Sequence, residues 1–486
     1  MRTFLLKLIP FLLVAGGVQA QRTLTLEECR TLAIRNNRQL LAAAEQKEAA
    51  EWEHKAAQTS RLPKLSADGS YIFNARTTRL ISKKQHHALE NLGTDNAAQI
   101  AQTAQSIVQQ FPDLAPLVQS LGNDIVPGLN QIGTNLSHAL ETHTRNIFVG
   151  ALVLTQPIYM GGRLRAYDNI THYAQLMLGN QYDNQMQETI LETDKAYWQV
   201  VSLANKQRLA KSYLAMLQKL DGDIQKMFRE GLVNKASTLN VRVKQNEAEM
   251  TLTKVENGLS LSRMLLCQIC GLPVTDDIVL ADEQEESLPA SPQHLLPDTT
   301  LAYSQRNDLH ALEQMTHIAD ENIKLIKSNY LPQVGLVGGY YLSNPNVYDG
   351  FRNKFGGNLS VGVALHVPLW RWNESRYHIR AAQAEARASR HLFEEAKEKI
   401  NLQLHQAKHQ VDEAGKRLNT ANKNLEKANE NLHCADVGFH EGVIAASDLL
   451  EAQTAWLDAQ SQRIDAQIDI KLTETTLMKA LGNLGN

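Results

Sequence analysis

The feature that most constrains the fold of this chain is an internal repeat. The segment Phe228–Val233 recurs as Phe439–Ile444, 211 residues further along the 486-residue sequence. The same spacing relates Gly271 to Gly482. A fixed spacing over so long a stretch indicates that one structural unit has been duplicated. We therefore expect each half of the chain to contain the same elements in the same order.

A Leu-Pro pair marks the end of a helix in each half, because proline cannot continue a helix. The prolines of these pairs, Pro63 and Pro332, are 269 residues apart, so the first half holds 58 extra residues. These residues belong to the segment 77–145, which we predict to be a long loop with short helices. His86 and His87 lie in it without further ligands at a metal-binding spacing, so both are predicted to be solvated.

Apolar and polar residues alternate after each of these prolines and again in a second strand of each half. This period of two predicts β-strands with one apolar face. Either a half-buried soluble strand or a membrane strand that faces lipid gives such a pattern. The apolar faces carry Leu65, Tyr71, Phe73, Val334, Leu336, Tyr340, Leu359, Val361 and Val363.

Helical periodicity dominates the rest of each half. Apolar residues from Ile379 to Phe439 recur at steps of three and four, which is typical of helices that pack side by side. The repeat mate of this stretch, from Arg163 to Glu230, has 68 residues and would be roughly 100 Å long as one helix. Two long helical hairpins per chain are therefore predicted.

Each predicted hairpin turns at a glycine, Gly231 or Gly442. We call these turns the tips and assign them to residues 229–234 and 440–445. A positive φ angle is expected at Gly442, because a tight turn after a helix favours it. Ser447 or Asp448 is predicted to cap the helix that returns from the second tip.

The N-terminal residues have the pattern of a secretory signal. The apolar run Phe4–Val14 follows Arg2, and small residues lead to a predicted cleavage site after Ala20. The net charge of the whole chain is −3. No basic patch suggests a nucleic-acid partner.

The sequence gives little support to an enzyme, a cofactor or a metal site, and the possible metal pair His405 and His409 is interpreted as part of a solvated or lumenal helix face. Glycine-rich phosphate loops, HExxH motifs and nucleophile elbows are missing from it. Cys267 and Cys270 have CxxC spacing, but no second pair accompanies them and their surroundings are apolar. We predict that they are core residues rather than metal ligands or a redox pair.

The predicted elements are incomplete within one chain. Four strands cannot close a barrel, and a single hairpin of long helices cannot bury both of its sides. Assembly of several copies would solve both problems, because their strands could close one barrel and their hairpins could form one tube. The competing interpretation is a non-transporting structural or adhesive coiled-coil protein of the cell envelope.

The chain resembles the TolC-like outer-membrane efflux family. The residues that carry the resemblance are the duplicated tips, the Leu-Pro pairs, and the segments Gln156-Pro157, Val367-Pro368 and Ser447–Gln453. The resemblance implies a mainly α-helical homotrimer. Its strands would form a 12-stranded β-barrel in the outer membrane, continuous with a helical barrel in the periplasm. It also implies a passive exit duct served by a periplasmic adaptor (membrane fusion protein) and an inner-membrane pump, for which we expect the RND type.

The resemblance gives a domain map. It comprises a signal peptide (1–20), a periplasmic helix (21–63), a first β-hairpin (64–157), a first helical hairpin (158–271), a linker (272–298), a second helix (299–332), a second β-hairpin (333–369), a second helical hairpin (370–482) and a tail (483–486).

The resemblance also implies roles for individual residues. Asp448 and Glu451 would narrow the periplasmic entrance as acidic rings, whereas plain compensation of the helix dipole is the alternative role for two carboxylates there. The polar links that hold the entrance closed in the family are replaced here by Phe439, Ile444 and Ser237. A different latch is therefore expected. The adaptor would dock on the tip residues Glu230, Gly231, Leu232, Glu441, Gly442 and Val443, and the apolar strand residues named above would face lipid.

Overall fold

A computed structural model of the chain describes residues 22–75, 81–110, 115–140, 144–275, 277–284, 298–350 and 352–485. The predicted signal peptide (1–20) lies outside these ranges. So do most of the predicted linker and parts of the segment 77–145. The described residues form two compact units. The first comprises 22–57, 166–323 and 379–485, and the second comprises 58–165 and 324–378, each without the gaps just given.

Helices make up most of the described chain. They are α1 (Leu26–Asn36), α2 (Arg38–Gln58), α3 (Lys83–Glu90), α4 (Leu92–Asp95), α5 (Ala97–Gln110), α6 (Ala115–Ala139), α7 (Arg163–Arg229), α8 (Lys235–Ile269), α9 (Thr299–Gln305), α10 (Asn307–Ser328), α11 (Glu374–His440) and α12 (Ala446–Ala480). The strands are β1 (Arg22–Leu24), β2 (Lys64–Phe73), β3 (Asn146–Met160), β4 (Ile278–Leu280), β5 (Gln333–Asn344) and β6 (Gly356–His366).

The duplicated fold is confirmed by the lengths of the long helices. α7 and α11 each have 67 residues, and α8 and α12 each have 35. The glycines that end them have the same backbone conformation, with φ of 76° at Gly231 and 71° at Gly442. The two hairpins are therefore equivalent in structure, with a left-handed residue at each tip, as predicted for Gly442.

The prediction of one periplasmic helix within residues 21–63 was wrong, because the helix breaks at Asn37. Thr25 begins α1 with a capping box that includes Glu28. Asn37 has an extended backbone (ψ 122°), and its side-chain Oδ1 accepts hydrogen bonds from the backbone N–H groups of Gln39 and Leu40. An asparagine that caps the next helix in this way ends the previous one.

A partly buried ion pair ties the beginning of the chain to the long helices. Arg30 on α1 donates two hydrogen bonds, of 2.7 and 2.6 Å, to the carboxylate of Asp194 on α7. Asp194 is fully buried, and Thr475 on α12 donates to the same carboxylate. This carboxylate raises the pKa of Arg30. A bidentate pair fixes the relative placement of three helices at once.

The cysteine prediction is confirmed. Cys29, Cys267 and Cys270 are buried in one hydrophobic cluster with residues of α7, β1 and β4. Hydrogen bonding with Cys270 and burial raise the pKa of Cys29. Cys434, by contrast, is exposed.

The second unit contains a four-stranded antiparallel sheet in the order β2-β3-β5-β6. The two strands of each half are thus joined in one sheet by the pairing of β3 with β5. The edge strands β2 and β6 have no further partner among the described strands. Each edge leaves a row of backbone donors and acceptors available for another strand.

The segment between β2 and β3 forms what we call the helical insert, comprising α3 to α6. α6 packs against α3, α4 and α5. With 25 residues it is longer than the short helices predicted. Close packing against its neighbours stabilises this helix, and two glycines allow that packing. A Cβ at Gly93 would collide with the carbonyl of Val126, and a Cβ at Gly133 would collide with the carbonyl of Leu89.

Candidate channel entrance and apolar sheet face

Both tips are closed by the same hydrogen bonds. In the second tip the N–H of Val443 donates to the carbonyl of Gly438 (2.8 Å) and the N–H of Gly442 to that of Phe439 (3.1 Å). The equivalent bonds are present at Leu232 and Gly231. This is a Schellman motif, which satisfies the last carbonyls of a helix and fixes the turn. The backbone conformation of each tip is therefore held by its own hydrogen bonds.

The predicted tip residues share exposure to solvent. Leu232 is 71% exposed and Val443 is 78% exposed. A glutamate and a glycine precede each of them, and these are exposed as well. Beneath the second tip, Phe439 and Leu449 are buried in a core shared by α7, α8, α11 and α12. Each tip thus presents an apolar side chain next to a carboxylate on a rigid turn.

The carboxylates of Asp448 and Glu451 lie on an exposed face in the first turns of α12. Leu449, Leu450 and Ala452 between and after them are buried. The described residues place no ion-pair partner at Asp448 or Glu451. Neither carboxylate is therefore neutralised by a cation of the described residues.

The predicted cap of α12 was wrong. Ala445 is the N-cap and makes no side-chain hydrogen bond, while Ser447 and Asp448 lie within the first turn. Burial of Ala446 explains the earlier start, because the helix must begin there to place Ala446 in the core. Asp448 instead accepts a hydrogen bond of 3.2 Å from the Ser447 hydroxyl.

A further carboxylate on the same face, Asp458, was missed from the sequence. It is exposed, and it follows Asp448 by ten residues and Glu451 by seven. These intervals keep it on the same side of an α-helix. The spacing along α12 was the signal that could have found it. At the equivalent positions of α8 lie Ser237, Asn240 and Glu247, so the acidic face belongs mainly to the second half.

Polar contacts between the two hairpins lie along the helices, away from the tips. Lys206 on α7 forms an ion pair of 2.6 Å with Asp465 on α12, and the hydroxyls of Tyr213 and Thr454 lie 3.4 Å apart. The residues that replace the polar links of the family make other contacts here. Phe439 is buried in the core, and the hydroxyl of Ser237 donates to Asn234 within its own tip.

The predicted apolar strand residues lie on one continuous face of the sheet. Directly paired residues share a face, and the pairing joins Leu65, Leu154, Gly338 and Val361 in one row. The next row contains Ala67, Leu152, Tyr340 and Leu359. Leu65, Leu359, Val361 and Val363 are each 67% to 71% exposed.

Aromatic side chains lie at both ends of this sheet. At one end Tyr71 packs on Phe148, which contacts Phe355, with ring centroids 4.7 and 6.0 Å apart. At the other end Trp370 and Trp372, 5.7 Å apart, are mostly exposed. Aromatic residues at both borders of an apolar band are typical of strands in a membrane.

None of the helices in the described part of the chain is both long and apolar enough to cross a membrane. Within the same residues, no group of three or more His, Cys, Asp or Glu side chains could hold a metal ion.

An apolar sheet face bordered by aromatics, joined in one chain to duplicated helical hairpins, defines an envelope protein of the channel class. Comparison with known proteins agrees. The family described as outer membrane efflux protein matches residues 30–272 and 299–483. The chain belongs to this family and is an outer-membrane protein that extends into the periplasm. The family is one of channels rather than enzymes.

Individual relatives are distant. The alkaline protease secretion protein AprF of Pseudomonas aeruginosa is 23% identical over 288 residues, which are 55% of this chain and 58% of AprF. The chain thus spans less than two thirds of that relative. Among solved structures, the outer-membrane channel OprN has a TM-score of 0.72 at 14% identity, covering 94% of this chain and 90% of OprN.

The outer membrane protein VceC of Vibrio cholerae has a TM-score of 0.71 at 14% identity, covering 94% of this chain and 96% of VceC. At such low identity these structures show a shared fold, and they confirm the predicted fold class of strand pairs combined with long helical hairpins.

Proposed function

We propose that the chain forms a homotrimeric exit duct of a tripartite efflux or secretion system. The duct conducts substrate passively across the outer membrane. The observation that carries this proposal is the four-stranded sheet, whose two edges are unpaired among the described strands and whose apolar face is exposed. Such a sheet is unstable alone, because its apolar face is not satisfied in water and the backbone groups of its edges are not satisfied in lipid.

The strand directions allow copies of the sheet to close on each other. Neighbouring strands are antiparallel throughout, so β2 and β6 run in opposite directions. The β6 of one copy can therefore pair antiparallel with the β2 of the next. Such a head-to-tail contact forms a ring when the rotation closes. Three copies give the 12-stranded barrel that the family resemblance implies, with the apolar residues facing lipid.

The tips are the proposed docking site for a periplasmic adaptor. Leu232 and Val443 offer apolar contacts, and Glu230 and Glu441 offer charged ones, on turns that need no rearrangement. A preformed surface lowers the entropic cost of binding. The pump served through this adaptor is proposed to be of the RND type. The relative named for protease secretion makes a protein exporter the alternative. Identifying the pump that co-purifies with the chain when its tips are intact distinguishes the two.

Asp448 and Glu451 are proposed to line the periplasmic constriction. A threefold arrangement would bring six carboxylates together, with Asp458 of each copy about two helical turns beyond Glu451. Rings of like charge favour cations and repel anions in a narrow pore. The absence of ion-pair partners for Asp448 and Glu451 among the described residues supports a role toward the lumen.

Reconstitution in a planar lipid bilayer tests the proposed function. The purified protein is expected to give discrete conductance steps that increase linearly with voltage and need neither nucleotide nor a proton gradient. Cation preference is expected at neutral pH. Protein that inserts into vesicles but gives no conductance steps, even after the entrance carboxylates are neutralised, would contradict a duct and favour a structural envelope protein.

A further inference from the structure

The helical insert has no counterpart in the second half of the chain. β5 and β6 are joined by residues 345–355 alone, whereas α3 to α6 lie between β2 and β3. The insert packs as a small helical unit. The side chain of Asn130 on α6 accepts hydrogen bonds from the backbone of Gly93 (2.7 Å) and Thr94 (3.1 Å) on α4.

One side of α6 is apolar and uncovered. Ile125, Ile132 and Leu136 are 42%, 62% and 49% exposed. Their intervals of seven and four residues place them on the same side of the helix, and we call them the α6 stripe. The side that packs on the insert is a different one, since it contains Gly133 and Asn130. A third side carries exposed polar residues, including Asp124, Gln131 and Asn135.

The scarcity of ionisable residues on α5 and α6 also points to an apolar neighbour. The sequence of α5 contains no ionisable residue, and that of α6 contains Asp124 and His138 alone. A solvent-exposed helix is normally rich in charge on its free sides. A stripe of large apolar residues on a helix with so little charge marks a contact surface rather than a solvated one.

We propose that the α6 stripe packs against the same stripe of the neighbouring copies, so that three helical inserts form a cap over the external mouth of the duct. This inference rests on the proposed trimer. The insert leaves β2 at Phe73 and rejoins β3 at Asn146, which are paired residues at one end of the sheet. That end is opposite to the one where β3 leads into α7. Threefold symmetry therefore places one insert per copy on the same rim.

The dimensions suit such a cap. Twelve strands spaced ~4.8 Å apart and tilted by ~40° close a barrel about 24 Å across. Three helices of about 10 Å diameter, packed as a triangle, are roughly 20 Å across. One α6 helix per copy can therefore reach the axis and occupy the mouth. A second copy of the chain, which brings an identical apolar stripe to the same rim, is thus the partner that fits the α6 stripe.

Disulfide cross-linking tests the cap. In chains whose exposed Cys434 is replaced by Ser, we compare Ile132→Cys on the stripe with Gln131→Cys on the polar side of the same helix. Outer membranes are oxidised with molecular oxygen and copper phenanthroline. Two of three stripe thiols can pair around a threefold axis, so most Ile132→Cys trimers are expected to yield one covalent dimer. The Gln131→Cys trimers are expected to yield few.

A functional readout accompanies the cross-link. Oxidation of the Ile132→Cys channel is expected to lower its single-channel conductance at least twofold, and dithiothreitol is expected to restore it. Intact trimers in which Ile132→Cys gives no more dimer than Gln131→Cys would overturn the cap, and would show that lipid or another partner covers the stripe. Failure to find trimers with either variant would instead refute the proposed function.

Discussion

Replacing Asp448 and Glu451 together by Ala is expected to raise the single-channel conductance severalfold and to abolish most of the cation preference. Both side chains are exposed at the start of α12 and have no ion-pair partner among the described residues. At an effective dielectric constant of about 20, a cation roughly 8 Å from a carboxylate gains about 2 kcal/mol. Removing the carboxylates therefore removes both the attraction for cations and the bulk that narrows the pore.

Two further variants separate charge from width. The nearly isosteric pair Asp448→Asn and Glu451→Gln is expected to lose cation preference with a smaller change in conductance. The matched control replaces Ser237 and Asn240, the equivalent residues of α8, by Ala, and should leave selectivity unchanged. If the Asp448→Ala and Glu451→Ala channel keeps the conductance and selectivity of the parent, these residues do not line the constriction.

The second large effect is expected at the tip. Gly442→Val should strongly impair export and leave insertion into the outer membrane intact. Gly442 has φ of 71° and no atom within 4 Å of a Cβ built on it, so the substitution acts through the backbone alone. A left-handed conformation costs an L-residue roughly 1–2 kcal/mol, with β-branched residues tolerating it least. The Schellman turn that presents Val443 should therefore be lost or populated less.

The export measurement uses compounds to which a strain lacking the gene is more sensitive than its parent. Gly442→Asn is expected to retain most of the resistance, because asparagine adopts positive φ more readily. Gly222→Val is the matched control, since Gly222 lies within α7 with comparable free space around its Cβ. Full resistance in the Gly442→Val strain would show that the geometry of this tip does not matter for export.

The repeat could be predicted from sequence because it depends on local signals. Glycine is the residue that most readily adopts a left-handed turn. Gly231 and Gly442 therefore predicted the positions of both tips and the lengths of the helices beside them. The period of two in the strands likewise placed Leu65, Tyr340 and Leu359 on one apolar face, since alternation is a property of the strand itself.

The predictions that failed depended on tertiary context. Ser447 and Asp448 are good capping residues, yet burial of Ala446 moved the start of α12 and left them in its first turn. The break at Asn37 interrupts a sequence with helical periodicity. It follows from the hydrogen bond that the Asn37 side chain accepts from the backbone of Leu40, which competes with the helix. The length of α6 depends on helices that pack against Gly133, which no local pattern reveals.

The central claim is that three copies close one barrel by pairing β2 with β6, and this pairing can be measured. Ser66 on β2 is combined in turn with Asn358, Ser360 or Gly362 on β6, each changed to Cys in chains that carry Cys434→Ser. Ser66 and these β6 positions share one face of the sheet. At least one combination is expected to give covalent dimers and trimers after oxidation in the outer membrane, and nothing larger. Chains that stay monomeric in every combination, or a ladder that ends at another number, would contradict the trimeric duct.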